Sequence, residues 1–179
     1  MDLGRIVNEW DSDAVLRPFG SVSNGFRLKD KSDIDLTIIT EEKKDIHPQD
    51  YSSSLLALLN ERTDWHWMRI CSNRLFLFQA TYRGFEIEIL FNNIAGLVNS
   101  EYIRAFAEYD IRFHKLGIYL KHFIESNNLF TKQNKLNSFS VMCMLIVFLQ
   151  DVVKPPVLPR IIDDMTKPPK ISEHFCLIE

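Results

Sequence analysis

The chain has 179 residues, 46% of them hydrophobic and 25% charged, with a formal net charge of −3. That length suits one domain, or one compact domain with part of a second, and the balance excludes a disordered or collagen-like polypeptide. The longest apolar run, residues 141–149, is well short of the ~20 needed to span a bilayer, and a mildly acidic chain does not coat nucleic acid by bulk charge, so any RNA or DNA contact would need a local basic groove.

In chain order, residues 14–19 form a short apolar run that ends at Gly20-Ser21, the pattern of a strand breaking into a turn. Residues 33–39 (DIDLTII) alternate at first and are β-branched afterwards, which predicts a second strand. Residues 50–62 place an acid and serines ahead of leucines at helical spacing and predict a helix. Residues 67–70, 75–82 and 85–91 read as three further strands, the last two joined through Arg83-Gly84. Beyond Asn93 the pattern turns helical. Leu116, Leu120, Phe123 and Ile124 mark one apolar helix face, and residues 138–153 predict a uniformly apolar, buried helix stopped by Lys154-Pro155-Pro156. The tail from Arg160, with Pro168-Pro169, carries no periodicity. The N-terminus holds no apolar stretch resembling a signal sequence, and Cys71, Cys143 and Cys176 form no CxxC pair, so a reducing compartment is expected: the cytoplasm, with the nucleus or mitochondrial matrix as alternatives.

The chemistry concentrates in residues 19–36. Asp33 and Asp35 are two apart on a predicted strand, so both side chains leave the same face with Cα atoms roughly 6–7 Å apart. Such a pair can hold two divalent cations ~3.5–4 Å apart, and Mg²⁺ favours a few carboxylates plus phosphates and water. Glu86 and Glu88 repeat the spacing on a later strand, and either could supply a third ligand. Gly20-Ser21 at a strand end offers backbone N–H groups and a hydroxyl to phosphate oxygens. Gly-Ser, an 11-residue gap, D-x-D and a later strand acid together point to metal-assisted phosphoryl or nucleotidyl transfer.

These residues also carry a resemblance. Phe19-Gly20-Ser21, Asn24-Gly25-Phe26 and Ser32-Asp33-Ile34-Asp35-Leu36 resemble the FGS…NGF…SDhDh signature of the non-canonical poly(A) polymerases and terminal uridylyltransferases, RNA 3′-end enzymes of the DNA polymerase β superfamily. Phe91-Asn92-Asn93, Asn99-Ser100, Leu136-Asn137-Ser138-Phe139, Leu149-Gln150 and Pro155-Pro156-Val157-Leu158-Pro159 resemble later blocks in the same order. The resemblance implies an α+β fold: a polymerase β-like nucleotidyltransferase domain over residues 1–98, a mixed sheet with flanking helices, then part of a helical central domain over residues 99–179. It implies template-independent addition of uridylyl or adenylyl residues from UTP or ATP to an RNA 3′ end, with Mg²⁺ or Mn²⁺. Asp33, Asp35 and Glu88 would bind metal, Gly20, Ser21 and Lys121 the triphosphate, Asn99 the ribose, and Ser138 and Phe139 the base.

The sequence departs from the family at three positions. The third acid, normally Asp, aligns with Glu88, one methylene longer. A second lysine, one helical turn after Lys121, is replaced by Glu125, which repels a triphosphate. The stacking tyrosine is Phe139, which keeps the π face. The family's central domain also continues past the PPVLP block, so the expectation is either a protein partner completing or using the short domain, or a short isoform, fragment or impaired relative. The alternative reading is an interaction module that keeps the fold without catalysis. The remaining candidates read as ordinary structure: His47, His66, His114, His122 and His174 as scattered without metal-ligand spacing, with His114 and His122 at the surface, Trp65 and Trp67 as packing, Met142, Cys143 and Met144 as core, Lys29, Lys43 and Lys44 as a solvated face, and the terminal CLIE as a poor match to a prenylation box.

Overall fold

The computed structural model describes residues 2–28, 33–72, 75–127, 129 and 137–160. Lys29, Ser32, Leu136, His174, Cys176, the Pro168-Pro169 pair and the CLIE end lie outside the described residues. The chain divides into two compact units, one of residues 1–23 and 29–98, the other of residues 24–28 and 99–179.

The first unit is a five-stranded mixed sheet in the order β1-β2-β5-β4-β3. Its strands are β1 (Val15–Pro18), β2 (Ile34–Ile39), β3 (Met68–Ser72), β4 (Leu75–Tyr82) and β5 (Phe85–Phe91). Only β2 and β5 pair in parallel; the other neighbours are antiparallel. The β4–β5 hairpin closes through Arg83 and Gly84, both at positive φ (52° and 86°), the two-residue turn whose twist matches its strands. Alternation then sorts the faces. Ile38, Phe78, Ala80, Ile87 and Ile89 point to one side and bury against Ile6 and Val7 of α1 (Leu3–Trp10) and Leu55 and Leu59 of α4 (Ser53–Arg62). Trp67 is buried in this core and Trp65 packs against it, as expected of structural tryptophans.

Two local expectations are corrected here. Gly20-Ser21 is no simple turn: positive φ at Gly20 (67°) redirects the chain straight into a short helix, α2 (Gly20–Asn24). The helix expected over 50–62 is two helices, α3 (Pro48–Tyr51) and α4, because Pro48 starts the first turn and Ser52 closes it by donating its N–H to the Pro48 carbonyl at 3.0 Å.

The second unit takes most of α5 (Ile94–Tyr109) with α6 (Ile111–Ser126), α7 (Ser138–Val147), a wide turn over Phe148–Val152, and the segment Asn24–Leu28. Phe26, Ile103, Phe106, Phe113, Met142, Leu145, Ile146, Leu149 and Leu158 form its core. The inward face of α6 is centred on Phe113 and Gly117, whereas Leu116 and Phe123 are exposed. The buried stripe had been expected at the larger side chains. It follows Gly117 because the Phe26 ring fills the space a side chain would take there. α7 is likewise half-buried: Met142 is inside, but Met144, Val147, Phe148 and Val152 are exposed. The PPVLP block folds back on the helix end. Val157 and Leu158 donate to the Leu149 carbonyl, and Gln150 Nε2 donates to the Pro159 carbonyl at 2.6 Å. No helix among the described residues is long and apolar enough to cross a membrane.

Candidate active site

The acids gather on the sheet face opposite the core. Asp35 of β2 and Glu88 of β5 are direct partners in the parallel register, on strands about 4.8 Å apart. Asp33, exposed just before β2, and the exposed Glu86 share this face by the same alternation. The Glu88 carboxyl is pushed above the ordinary glutamate range, first by burial and then by the charges of Asp35, Asp33 and Glu86. Glu88 thus sits in the field of three other acids. Gln79, which the sequence did not single out, is the partner of Glu88 on β4 and becomes visible only once the register is known.

Gly20 is fitted to this cluster. β1 runs antiparallel to β2, and the Phe19 N–H donates to the Asp35 carbonyl at 3.0 Å. The next residue, Gly20, therefore reaches the Asp35 side chain: a Cβ there would lie 2.3 Å from Asp35 Oδ2. Phe91-Asn92-Asn93 fastens the neighbouring strand ends. Asn92 donates its N–H to the Ile38 carbonyl at 2.8 Å, and its Oδ1 accepts from Thr40 N–H at 2.9 Å. Asn93 donates to the hydroxyl of the fully buried Thr37 at 3.1 Å, and its Oδ1 caps α5 through Gly96 N–H at 3.0 Å.

The donor set suits a hard divalent cation, since it is all oxygen, negative and open on one side. Among the described residues no three acids, histidines or cysteines close into a cage by themselves. An open site is what Mg²⁺ accepts, because it takes one or two carboxylates and fills its shell with water and substrate phosphates.

Gly20, Ser21, Asp33, Asp35 and Glu88 belong to the first unit; Asn99, Lys121, Ser138 and Phe139 belong to the second. Lys121 donates to the Phe26 carbonyl at 3.0 Å. Asn99 is half-buried, Ser138 is the exposed first residue of α7, and Phe139 packs against the core of the second unit. Glu125 is exposed one turn beyond Lys121. His114, expected at the surface, is half-buried: its ring lies 5.0 Å from Phe26, and Nε2–H donates to the Gly25 carbonyl at 2.9 Å.

The model of the central palm domain of mitochondrial-like poly(A) RNA polymerases matches residues 1–108. The chain belongs to this family. Among its palm-domain relatives, the terminal uridylyltransferase Cid1 of Schizosaccharomyces pombe is 26% identical over 91% of this chain and 41% of that protein. The poly(A) RNA polymerase Cid11 of the same organism is 27% identical over 87% of this chain and 32% of that protein. A solved cytoplasmic RNA terminal U-transferase superposes with a TM-score of 0.80 at 23% identity, covering 96% of this chain and 51% of that one. A Cid1 poly(U) polymerase bound to MgATP superposes at 0.81 with 22% identity over 94% and 54%. The fold is therefore the polymerase β-like nucleotidyltransferase fold expected from the sequence, and the chain spans half or less of the curated relatives it matches.

Proposed function

We propose that this chain transfers a uridylyl or adenylyl group from a nucleoside triphosphate to an RNA 3′ end. The observation that carries the reading is the register pairing of Asp35 with Glu88, with Gly20 pressed against the Asp35 carboxylate. Asp33, Asp35 and Glu88 are the residues to hold Mg²⁺ or Mn²⁺. Once bound, the cation offsets phosphate charge and eases deprotonation of the attacking hydroxyl. Gly20 and Ser21 leave room for a phosphate against the cluster and offer it backbone N–H groups and a hydroxyl. Lys121 supplies positive charge to the triphosphate, Asn99 hydrogen-bonds the ribose, and Ser138 and Phe139 hold the base, Phe139 by stacking. The RNA 3′-oxygen bonds to the α-phosphorus as the bond to the β-phosphate breaks, and pyrophosphate leaves. Relatives named for uridylyl and for poly(A) addition match about equally well, which supports the reaction class while leaving either base. Cytoplasmic action accompanies this reading, supported by free Cys71 and Cys143.

Incubation of the purified chain with labelled UTP or ATP, a short RNA and Mg²⁺ or Mn²⁺ tests the proposal. Extension by wild type, abolished in an Asp33→Ala/Asp35→Ala double variant, is expected. Nucleotide binding without extension under every metal would instead favour the interaction module.

A further inference from the structure

We infer that His114 is a positioning residue for this reaction, acting through the Gly25 carbonyl on α2, whose first residue, Gly20, lies against the Asp35 carboxylate. The inference rests on the proposed nucleotidyl transfer. Its basis is the way the chain is shared: residues 24–28 belong to the second unit, while the catalytic residues on either side of them belong to the first.

The segment is built to be held. Asn24 Oδ1 accepts the Phe26 N–H at 3.0 Å, and Gly25 adopts φ 83°, so the chain turns sharply and sends the Phe26 ring inward, where it is 2% exposed. α6 presents His114, Gly117 and Lys121 at spacings of three and four residues, hence on one face. All three meet this segment. His114 Nε2–H donates to the Gly25 carbonyl at 2.9 Å, and Lys121 Nζ donates to the Phe26 carbonyl at 3.0 Å. Between them Gly117 makes way for the ring, since a Cβ there would lie 2.4 Å from Phe26 Cε1. Phe113 meets the same ring edge-on at 5.4 Å. Two cross-chain donors and a glycine moulded around one distant aromatic residue are more than core filling requires. An aliphatic stripe would bury the same area without spending side-chain donors.

The consequence lies in chain connectivity. Gly25 directly follows α2, whose first residue, Gly20, must stay against the Asp35 carboxylate. Releasing the Gly25 carbonyl gives slack to α2 and so to Gly20 at the Asp35 carboxylate. Lys121 makes the companion bond, but it also has the proposed triphosphate role, so its removal mixes two effects. His114 has no substrate role and isolates the positioning effect.

The full chain is compared as wild type, His114→Ala, His114→Gln (which keeps an N–H donor) and His122→Ala, an exposed residue of the same helix bonded to Ser126. Nucleotide incorporation is resolved into kcat and KM, and Mn²⁺ binding without nucleotide is measured by calorimetry. His114→Ala is expected to lower kcat ~10–100-fold with KM nearly unchanged, and to weaken Mn²⁺ binding ~10-fold. His114→Gln should restore most of both, and His122→Ala should match wild type. Wild-type kcat and Mn²⁺ affinity in His114→Ala overturn the inference, as does His114→Gln behaving no better than alanine, which marks simple packing. Wild type that binds Mn²⁺ without transferring a nucleotide overturns the functional reading alone, and the Mn²⁺ comparison then decides the inference.

Discussion

At Gly20 the residue that suits the backbone also suits the proposed site, whereas at Glu88 stability is given up for it. Positive φ at Gly20 costs an L-residue ~1–2 kcal/mol, and an added Cβ would also press on Asp35 Oδ2 at 2.3 Å. The obstructed atom ends a side chain, so the carboxylate swings away while the sheet stays. Gly20→Ala should therefore lose ~1–2 kcal/mol in denaturant unfolding yet slow transfer ~100-fold. A wild-type rate would show that the Asp35 position is not required. Glu88 is the opposite case. Its folded carboxyl is raised above its unfolded value by burial and by three like charges, so the folded state binds protons more tightly. Stability then falls as pH rises from the unfolded pKa through the folded one, and the ionised group is a net cost at neutral pH. Glu88→Gln should melt higher than wild type at pH 7 in metal-free buffer, with the gap closing near pH 4 or below, roughly the unfolded range, while transfer is lost. A lower melting temperature for the glutamine variant at pH 7 would contradict the crowding of charges at this site.

At the scale of elements, α6 is the informative case. Gly→Ala in a helix interior ordinarily stabilises by ~1 kcal/mol, but at Gly117 the new methyl would sit 2.4 Å from Phe26 Cε1 and 3.1 Å from Met142 Sδ. Overpacking of this kind costs ~1–3 kcal/mol, so Gly117→Ala should lower the melting temperature; an increase would show that Phe26 repacks freely. The same residue explains an error of sequence reading. A hydrophobicity count ranks a glycine as weakly apolar and pointed to Leu116 and Phe123, whereas the buried stripe is chosen by a ring from ninety residues earlier in sequence. The strands were legible because alternation is local: residues 33–39 and 85–91 reveal their two faces without tertiary help, and the i, i+2 acids fall on one face by geometry alone. What alternation leaves open is register. Asp35 opposite Glu88 follows from strand pairing over a long crossover, and Gln79 beside Glu88 from the register that the Arg83-Gly84 turn sets. A smaller element contact completes this level. Asp11, which ends α1, pairs with Lys43 just after β2, and Lys43 lies 4.8 Å from the Trp10 ring centre. The Lys43 bond lowers the Asp11 pKa, so its contribution is present above the unfolded value of 3.8 and disappears as pH falls through the folded one. Asp11→Asn should cost about 1 kcal/mol at pH 7, and progressively less as pH falls through the folded Asp11 pKa, where both chains come to carry a neutral group; a cost that does not change across that titration would remove the ion pair from the account.

At the scale of the whole molecule, the chain is not two beads on a string. The second unit contains residues 24–28, and Phe26 sits at its centre with Phe106, Phe113 and Met142. Cutting the chain at the apparent boundary after residue 98 therefore does not release a folded helical domain; it removes the aromatic residue around which that domain packs. Deleting a buried phenylalanine costs ~3–5 kcal/mol, comparable to the whole stability of a core in a segment this short. It would also leave Lys121 and His114 without the carbonyls they now meet. A fragment of residues 99–179 should accordingly retain helical far-ultraviolet dichroism but melt without a cooperative transition, while the full chain melts cooperatively. A cooperative transition in the fragment would mean that Phe26 is dispensable. The segment would then be free to move independently of α6, and the route by which His114 is inferred to steady Gly20 would have no mechanical basis.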